Sequence, residues 1–241
     1  MGSLVLVRHA QASFFSADYD QLSGKGQEQA RRLGDYWASH EVGFDDVLTG
    51  PRARHRATAE LVGERFERAG VAFPKMSVRE ALDEHAVDQL LRERDVMNGL
   101  CREHPHLVAL AENYASARTP SEQQTGFQKL FEAVVRLWIQ GACTIRGFAA
   151  WPEYRDRVWA LLSELAGDAP RGRRIALFTS VGPISCALMW ALKCTELVGL
   201  EVGWRLRNAS LTEIVFSRDR ATLDSFNALP HLAEPELWTF R

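Results

Sequence analysis

Short apolar strands alternate with amphipathic helices in the first and last thirds of this chain, and that alternation constrains the fold more than any other feature. The apolar run 4–7 is cut off by charge and predicts a buried strand. Further strands are predicted at 44–49, 71–78, 174–179, 210–216 and 222–228, and helices at 27–40, 52–69 and 184–197. Such alternation favours a mostly parallel sheet with helices on both faces. We therefore predict an α/β three-layer sandwich whose sites lie at the carboxyl ends of its strands.

The middle of the chain, residues 86–170, has no strand pattern. Four helices are predicted there, at 89–100, 106–117, 122–140 and 153–166. A chain of 241 residues can form one large domain that carries a smaller cap. We therefore predict a single domain over 1–241, in which 86–170 is a helical insertion. Trp138, Trp151 and Trp159 are predicted to pack this insertion or, alternatively, to wall an apolar substrate pocket.

The charge balance and the apolar runs limit the partners. Lysine and arginine total 29 and aspartate and glutamate total 31, a formal net charge of −2, so we expect no nucleic-acid partner. Any anion must be held by a local arginine pocket. The longest later apolar run, 186–192, is far shorter than the roughly 20 residues that span a bilayer, so we expect no membrane partner either.

The cysteines and the N-terminus point to a reducing compartment. The four cysteines form no C-x-x-C pair, and no Cys/His cluster has zinc spacing. The N-terminal apolar run is too short for a signal peptide. We therefore expect reduced thiols, a cytoplasmic location, and neither a metal nor another cofactor.

An Arg-His pair follows the first predicted strand directly. A neutral imidazole at His9 can act as a nucleophile when its other ring nitrogen is held by a backbone carbonyl. The guanidinium of Arg8 can hold a phosphoryl oxygen with a fixed charge. The alternative is a histidine that only satisfies backbone groups of its loop.

Two further segments follow predicted strands and carry charge. Arg54 lies in the first turn of a helix, where backbone N–H groups favour an anion, and shares a helix face with Thr58. Helical spacing cannot point Arg52 and Arg56 in the same direction, so both are predicted to be solvated. The segment 82–85 offers a carboxylic acid, at Asp83 or Glu84, that could protonate a leaving group. The alternatives are a merely basic helix start and an acidic helix N-terminus.

These segments together resemble the histidine phosphatase superfamily, which has the phosphoglycerate-mutase-like fold. Residues 7–10 resemble its R-H-G/A signature, and residues 22–30 its L-[ST]-x-x-G-x-x-Q-A segment. Residues 49–59 resemble S-S-P-x-x-R-A-x-x-T-A, with His55 in place of the usual alanine, and residues 82–84 resemble L-x-E. Residues 208–212 and 227–232 match the closing strands of the family.

The resemblance implies roles for the charged residues. His9 would be the nucleophile that is transiently phosphorylated, Arg8 and Arg54 would clamp the phosphoryl group, and Glu84 would protonate the leaving group. Gln11 is expected to line the pocket. The implied ligand is a phosphorylated small-molecule substrate or inorganic phosphate, and no metal is needed. The sequence leaves open whether the chain forms a homo-oligomer.

The chain departs from the family pattern at Ser180, where a second pocket histidine is usual, and at Val181, where glycine is usual. Serine keeps one hydroxyl donor for a phosphoryl oxygen but cannot become a cation. A β-branched residue resists a positive φ, so a loop of different shape is expected. His55 and His85 adjoin the motifs and are interpreted as facing solvent, with His85 a spare acid in the alternative.

Three hypotheses remain open. The first is a metal-independent phosphomonoesterase that acts through a phosphohistidine, with reduced or altered activity, in which Ser180 and the N-terminus of the helix at Ile184 hold the phosphate. The second is a catalytically impaired pseudoenzyme that binds a phosphorylated ligand or protein. The third, a phosphoglycerate mutase, ranks last because that activity depends on a pocket with two histidines.

Overall fold

A six-stranded sheet forms the centre of the computed structural model, which describes residues 1–13, 20–85, 87, 91, 93–143, 149–167, 172–217 and 220–240. The strands are β1 (Gly2–Arg8), β2 (Asp46–Thr49), β3 (Met76–Val78), β4 (Arg174–Thr179), β5 (Leu211–Ser217) and β6 (Arg220–Ala228). Their order is β3-β2-β4-β1-β5-β6. The pairs from β3 to β1 are parallel, and β5 and β6 join antiparallel. The prediction of a mostly parallel sheet is therefore confirmed.

Two helices, α1 (Gly24–Ser39) and α2 (Ala53–Arg68), pack together on one face of the sheet. Ser23 begins α1, because its hydroxyl oxygen accepts the N–H of Gly26 at 3.0 Å. The shared core brings Trp37 of α1 and Phe66 of α2 against strand residues such as Val5 and Phe178. Because side chains alternate along a strand, Leu4 and Leu6 face the opposite side, where they are fully buried.

Further helices occupy the middle and the last third of the chain, in keeping with the predicted α/β class. In chain order the middle helices are α3 (Arg94–Glu103), α4 (His106–Ala115), α5 (Pro120–Ile139) and α6 (Trp151–Gly167). They are followed by α7 (Val181–Leu192), which contacts β1 and β6, and by α8 (Glu196–Gly203). None of these helices, within the described ranges, has the length and apolarity that a membrane crossing needs.

The chain divides into two compact units, residues 1–84 with 156–241 and residues 85–155. The second unit is built on aromatic packing. Trp138 and Trp151 are buried with their ring centroids 5.2 Å apart, so their predicted packing role is confirmed. Trp159 falls in the first unit, where its indole donates to the carbonyl of Cys186 at 2.7 Å. That 86–170 is one insertion, and that its tryptophans wall a substrate pocket, stay predictions.

Two predicted elements differ from the structure. The helix predicted at 184–197 ends at Lys193, whose φ of 52° terminates α7 before α8 begins. The strand predicted at 71–78 is reduced to Met76–Val78, because Pro74 has no N–H to donate to a neighbouring strand. Part of the helix predicted at 89–100 lies outside the described residues.

The contact between α1 and α2 leaves no room for a side chain at Gly34. A Cβ there would lie 2.7 Å from Cβ of Arg65 and 2.8 Å from the carbonyl oxygen of Val62. We expect Gly34→Ala to lower the free energy of unfolding by about 1–3 kcal/mol, because the helices must separate. Gly24→Ala, in the same helix but with open space around it, is the control and should be neutral or stabilising. Chemical denaturation measures both, and equal midpoints would contradict the close contact.

Candidate active site

The centre of the sheet places His9 at the carboxyl end of β1. Its backbone N–H donates to the carbonyl of Thr179, the last residue of β4, at 2.8 Å. Arg8 is opposite Thr179 in the parallel pair, so the chain after β1 and the chain after β4 leave the sheet side by side. Only 6% of His9 is exposed. The strand end predicted from the apolar run therefore holds a buried imidazole.

The imidazole of His9 has a defined tautomer. Its Nδ1 lies 2.8 Å from the carbonyl oxygen of Ala10, and because a carbonyl can only accept, Nδ1 carries the hydrogen. Burial, followed by the charges of Arg54 and Arg8, lowers the pKa of His9 well below its usual 6.5. The ring is therefore neutral near pH 7, with the Nε2 lone pair available.

Two arginines bring positive charge to this imidazole. Arg8 is buried, and its guanidinium donates to the carbonyl oxygens of Leu206 and Phe240, the latter at 2.6 Å. Arg54 is 2% exposed, and its Nη1 is 2.8 Å from Oδ1 of Asp20. Both positive charges lower the pKa of His9.

Asp20 also belongs to the candidate site, although none of the sequence motifs includes it. Its second carboxylate oxygen accepts the N–H of Ala53 at 2.7 Å, so it occupies the N-terminus of α2 as well as pairing with Arg54. Aspartate is a favoured residue at helix N-termini, and the N-cap position Arg52 makes no side-chain cap bond. Asp20 is far from α2 in the chain, so local pattern could not assign the contact.

Hydrogen bonds from side chains to the backbone hold the loop that contains His9 and Ala10. Thr58 accepts the N–H of Ala10 at 3.1 Å and donates to the carbonyl of Arg54 at 2.7 Å, which joins α2 to the loop. The buried amide of Asn208 donates to the carbonyl of His9 at 3.2 Å. These contacts fix the loop from two sides.

Glu84 lies at the start of α7. Its Oε1 accepts the N–H of Gly182 at 3.1 Å, as expected for a carboxylate beside a helix N-terminus. Arg52 donates to the carbonyl of Glu84 at 3.0 Å and pairs with Asp83 at 2.6 Å. The prediction that Arg52 is solvated is wrong, because it ties the Glu84 segment to α2. Arg56 is exposed, as predicted.

The prediction that His55 faces solvent is also wrong. Its side chain is fully buried, and Nε2 lies 2.6 Å from Oγ of Ser180. Its ring centroid is 5.7 Å from that of His9. Burial and the charges of the neighbouring arginines, Arg54 foremost, lower the pKa of His55 well below 6.5. A second neutral imidazole therefore lies beside that of His9. It comes from α2 and not from position 180, where the family pattern has its second histidine.

The remaining candidates are placed as follows. Ser180 directly precedes α7, and Val181 is the first helical residue, with no positive φ, as a β-branched residue favours. That the loop differs in shape from that of the family stays a prediction. Gln11 accepts the hydroxyl of Ser23 at 2.9 Å, and its part in a pocket stays a prediction. His85 is not solvent-facing as interpreted, since it is buried and stacked on Phe131 with centroids 5.6 Å apart.

No group of three or more His, Cys, Asp or Glu side chains suited to a metal occurs in the part of the chain that the structure describes. What the strand end gathers is a neutral imidazole, two buried guanidinium groups and a carboxyl group. Fixed positive charge around a neutral nucleophile suits the transfer of an anionic group. An α/β protein with such a strand end is suited to holding a phosphoryl group.

The chain belongs to the histidine phosphatase superfamily (branch 1), which it matches over residues 4–229. A mycobacterial glucosyl-3-phosphoglycerate phosphatase in complex with inorganic phosphate has a similar structure, with a TM-score of 0.64 and 19% identity over 96% of this chain and 99% of that one. The search of curated proteins found no match.

Two other similar structures are named for different activities. A phosphoglycerate mutase from Bacillus anthracis has a TM-score of 0.61 and 18% identity over 95% of this chain and 94% of that one. A phosphoserine phosphatase from Entamoeba histolytica, in complex with 3-phosphoglyceric acid, has a TM-score of 0.60 and 15% identity over 96% and 99%. At identities this low, the structural similarity shows a shared fold and nothing beyond it.

The lowered pKa of His9 gives a direct test of its environment. We expect its ring resonances, identified by their loss in His9→Ala, to show no protonation between pH 8 and pH 6. An ordinary histidine would be about half protonated near pH 6.5. Nuclear magnetic resonance titration measures this, and a midpoint near 6.5 would contradict the burial.

Arg54 and Arg56 offer a matched pair for testing anion binding. We expect millimolar vanadate to raise the melting temperature, because a ligand that binds only the folded state stabilises it. Arg54→Ala should reduce the rise, whereas Arg56→Ala on the exposed face of α2 should keep it. The quantity compared is the shift within each variant, so a lower starting stability does not affect it. Equal shifts in both variants would count against an anion site at Arg54.

Proposed function

We propose that this protein is a metal-independent phosphomonoesterase that acts through a phosphohistidine at His9. Its ligands are a phosphorylated small-molecule substrate and the inorganic phosphate that leaves. The observation that carries the proposal is the hydrogen bond from Nδ1 of His9 to the carbonyl of Ala10. It fixes the tautomer in which Nε2 keeps a lone pair at the end of a buried strand.

The first step forms the phosphohistidine. The Nε2 lone pair of His9 attacks phosphorus, the bond from phosphorus to the ester oxygen breaks, and the leaving alcohol takes both bonding electrons. A proton from the carboxyl group of Glu84 neutralises that oxygen. The bond at Nδ1 remains in place and stabilises the positive charge that the ring acquires.

The second step restores the enzyme. Glu84, now a carboxylate, accepts a proton from water as the water oxygen attacks phosphorus. The bond from phosphorus to Nε2 breaks, its electrons return to His9, and inorganic phosphate leaves. Glu84 thus acts as an acid in the first step and as a base in the second, because the proton moves in opposite directions in the two steps.

Arg8 and Arg54 stabilise the negative charge spread over the phosphoryl oxygens in both steps. Their positions are held by groups of fixed geometry, namely the carbonyls at Leu206 and Phe240 and the carboxylate of Asp20. Charges that are already oriented need no reorganisation when the transition state forms. The names of two similar structures, both phosphatases, support the reaction class. A cytoplasmic location stays a prediction.

The second candidate function is binding without efficient turnover. Ser180 favours it, because a hydroxyl replaces a histidine at the position where the family pattern has a second pocket imidazole. Such a protein would retain a phosphorylated ligand or protein on the same arginines. A phosphoglycerate mutase remains the least favoured reading, for the same reason.

The His9→Ala variant decides between turnover and binding. We expect it to abolish hydrolysis of an aryl phosphate, because no nucleophile remains, while His106→Ala on an exposed helix start keeps the wild-type rate. A chelator should leave the wild-type rate unchanged. Hydrolysis is followed by release of the aryl alcohol. A wild-type rate no higher than that of His9→Ala would support binding alone, and inhibition by chelator would indicate a metal mechanism.

A further inference from the structure

We infer that His55 and Ser180 form a unit in which the imidazole orients the serine hydroxyl toward the phosphoryl group, so that Ser180 supplies a hydrogen bond to the transferring group. The inference rests on the proposed function and goes beyond it. It gives the hydroxyl of Ser180, which the sequence predicts to bind the phosphate, a fixed direction, and it makes His55, on a different helix, the positioning residue.

The strand register brings Ser180 beside the nucleophile. Arg8 is opposite Thr179, and the N–H of His9 donates to the carbonyl of Thr179, so His9 and Ser180 each follow the last paired residue of adjacent parallel strands. The ring of His55 is within 5.7 Å of the ring of His9 and within 2.6 Å of the Ser180 hydroxyl. The hydroxyl and the nucleophile are therefore neighbours of the same imidazole.

The absence of a side chain at Gly50 leaves the space that the imidazole of His55 occupies. A Cβ at position 50 would lie 2.3 Å from Nδ1 of His55 and 3.0 Å from its Cε1, and also 2.4 Å from the carbonyl oxygen of Leu82. No larger residue fits there while the ring keeps its position. Gly50, His55 and Ser180 are each departures from the family pattern, and the structure puts all three in one contact.

The direction of the hydrogen bond follows from the neighbours of the ring. A neutral imidazole carries one hydrogen, and Nδ1 of His55 is buried without a hydrogen-bond partner among the described residues. A buried N–H with no acceptor costs more than a bare lone pair, so the hydrogen belongs on Nε2. His55 therefore donates to Oγ of Ser180.

This direction determines what the hydroxyl can do. Because Oγ already accepts from Nε2 of His55, the hydroxyl hydrogen turns away from the ring and is available as a donor. Negative charge that develops on a phosphoryl oxygen during transfer accepts that hydrogen. No proton is transferred. Ser180 therefore acts as a preorganised hydrogen-bond donor of the kind that stabilises transition states.

Single substitutions separate this unit from a merely buried contact. We expect Ser180→Ala to lower kcat for an aryl phosphate about 10²–10³-fold. Ser185→Ala is the control, because Ser185 is a fully buried serine of α7 whose hydroxyl has no partner in the described structure, and its rate should stay near wild type.

Substitutions at His55 test the positioning role. His55→Leu should lower kcat about 10-fold or more, through a misdirected hydroxyl. His55→Gln should keep most of the rate, because its side-chain amide N–H can take the place of Nε2–H. The double variant His55→Leu/Ser180→Ala should be no slower than Ser180→Ala alone, since His55 acts only through Ser180. A purely structural role for His55 would give additive losses and no rescue by glutamine.

Moving the imidazole from position 55 to position 180 tests the geometry. Histidine at position 180 would collide with His55, whose Nε2 is 2.6 Å from Oγ. We therefore expect Ser180→His to be less active than His55→Ala/Ser180→His, in which the space is free. Equal rates would contradict the contact on which the inference depends.

The outcomes distinguish this inference from the proposed function. Wild-type kcat in Ser180→Ala, with His9→Ala inactive, would overturn the inference and leave the proposed function standing. Activity that survives His9→Ala but not Ser180→Ala would overturn both, and would make Ser180 the nucleophile. If the wild type has no turnover, vanadate titration decides. At least about 10-fold weaker binding in Ser180→Ala and His55→Leu, but not in His55→Gln, supports the unit, and unchanged binding overturns it.

Discussion

The parallel pairing of β1 with β4 at the centre of the sheet is the constraint on which the rest of the site depends. With Arg8 opposite Thr179, the residues just beyond both strands, His9 and Ser180, leave the sheet at the same edge. The pairing of β2 with β4 then sets Thr49 opposite Phe178, so that α2 begins at that edge. Arg54 and His55 reach the site because of this second register.

Burying two guanidinium groups beside an imidazole is unfavourable unless each charge has partners. Backbone carbonyls near the C-terminus supply them for Arg8, and the carboxylate of Asp20 supplies one for Arg54. The same burial keeps the pKa of His9 low, so the cost of desolvating the cations and the neutrality of the nucleophile have one origin. In the proposed function, the arginines prepare the nucleophile as well as binding the phosphoryl group.

The contact of His55 with Ser180 changes how the missing pocket histidine is understood. Read along the chain, Ser180 is a loss and His55 an unrelated surface residue. In space they are 2.6 Å apart, and Gly50 provides the room for the ring. A site needs a donor at a given point, and any element that reaches the point can supply it. The proposed unit is therefore a redistribution of the pocket between α2 and the end of β4.

The sequence alone predicts the fold class, most strands and helices, and the strand end that carries Arg8 and His9, because apolar periodicity and turn residues act locally. It also indicated the family, through motifs that follow one another along the chain. The pairing of Arg52, the contact of Asp20 with Arg54 and the burial of His55 could be seen only in the folded chain. These contacts join residues 31, 34 and 125 positions apart. Helical spacing shows which residues share a face, but what covers that face depends on how distant segments pack.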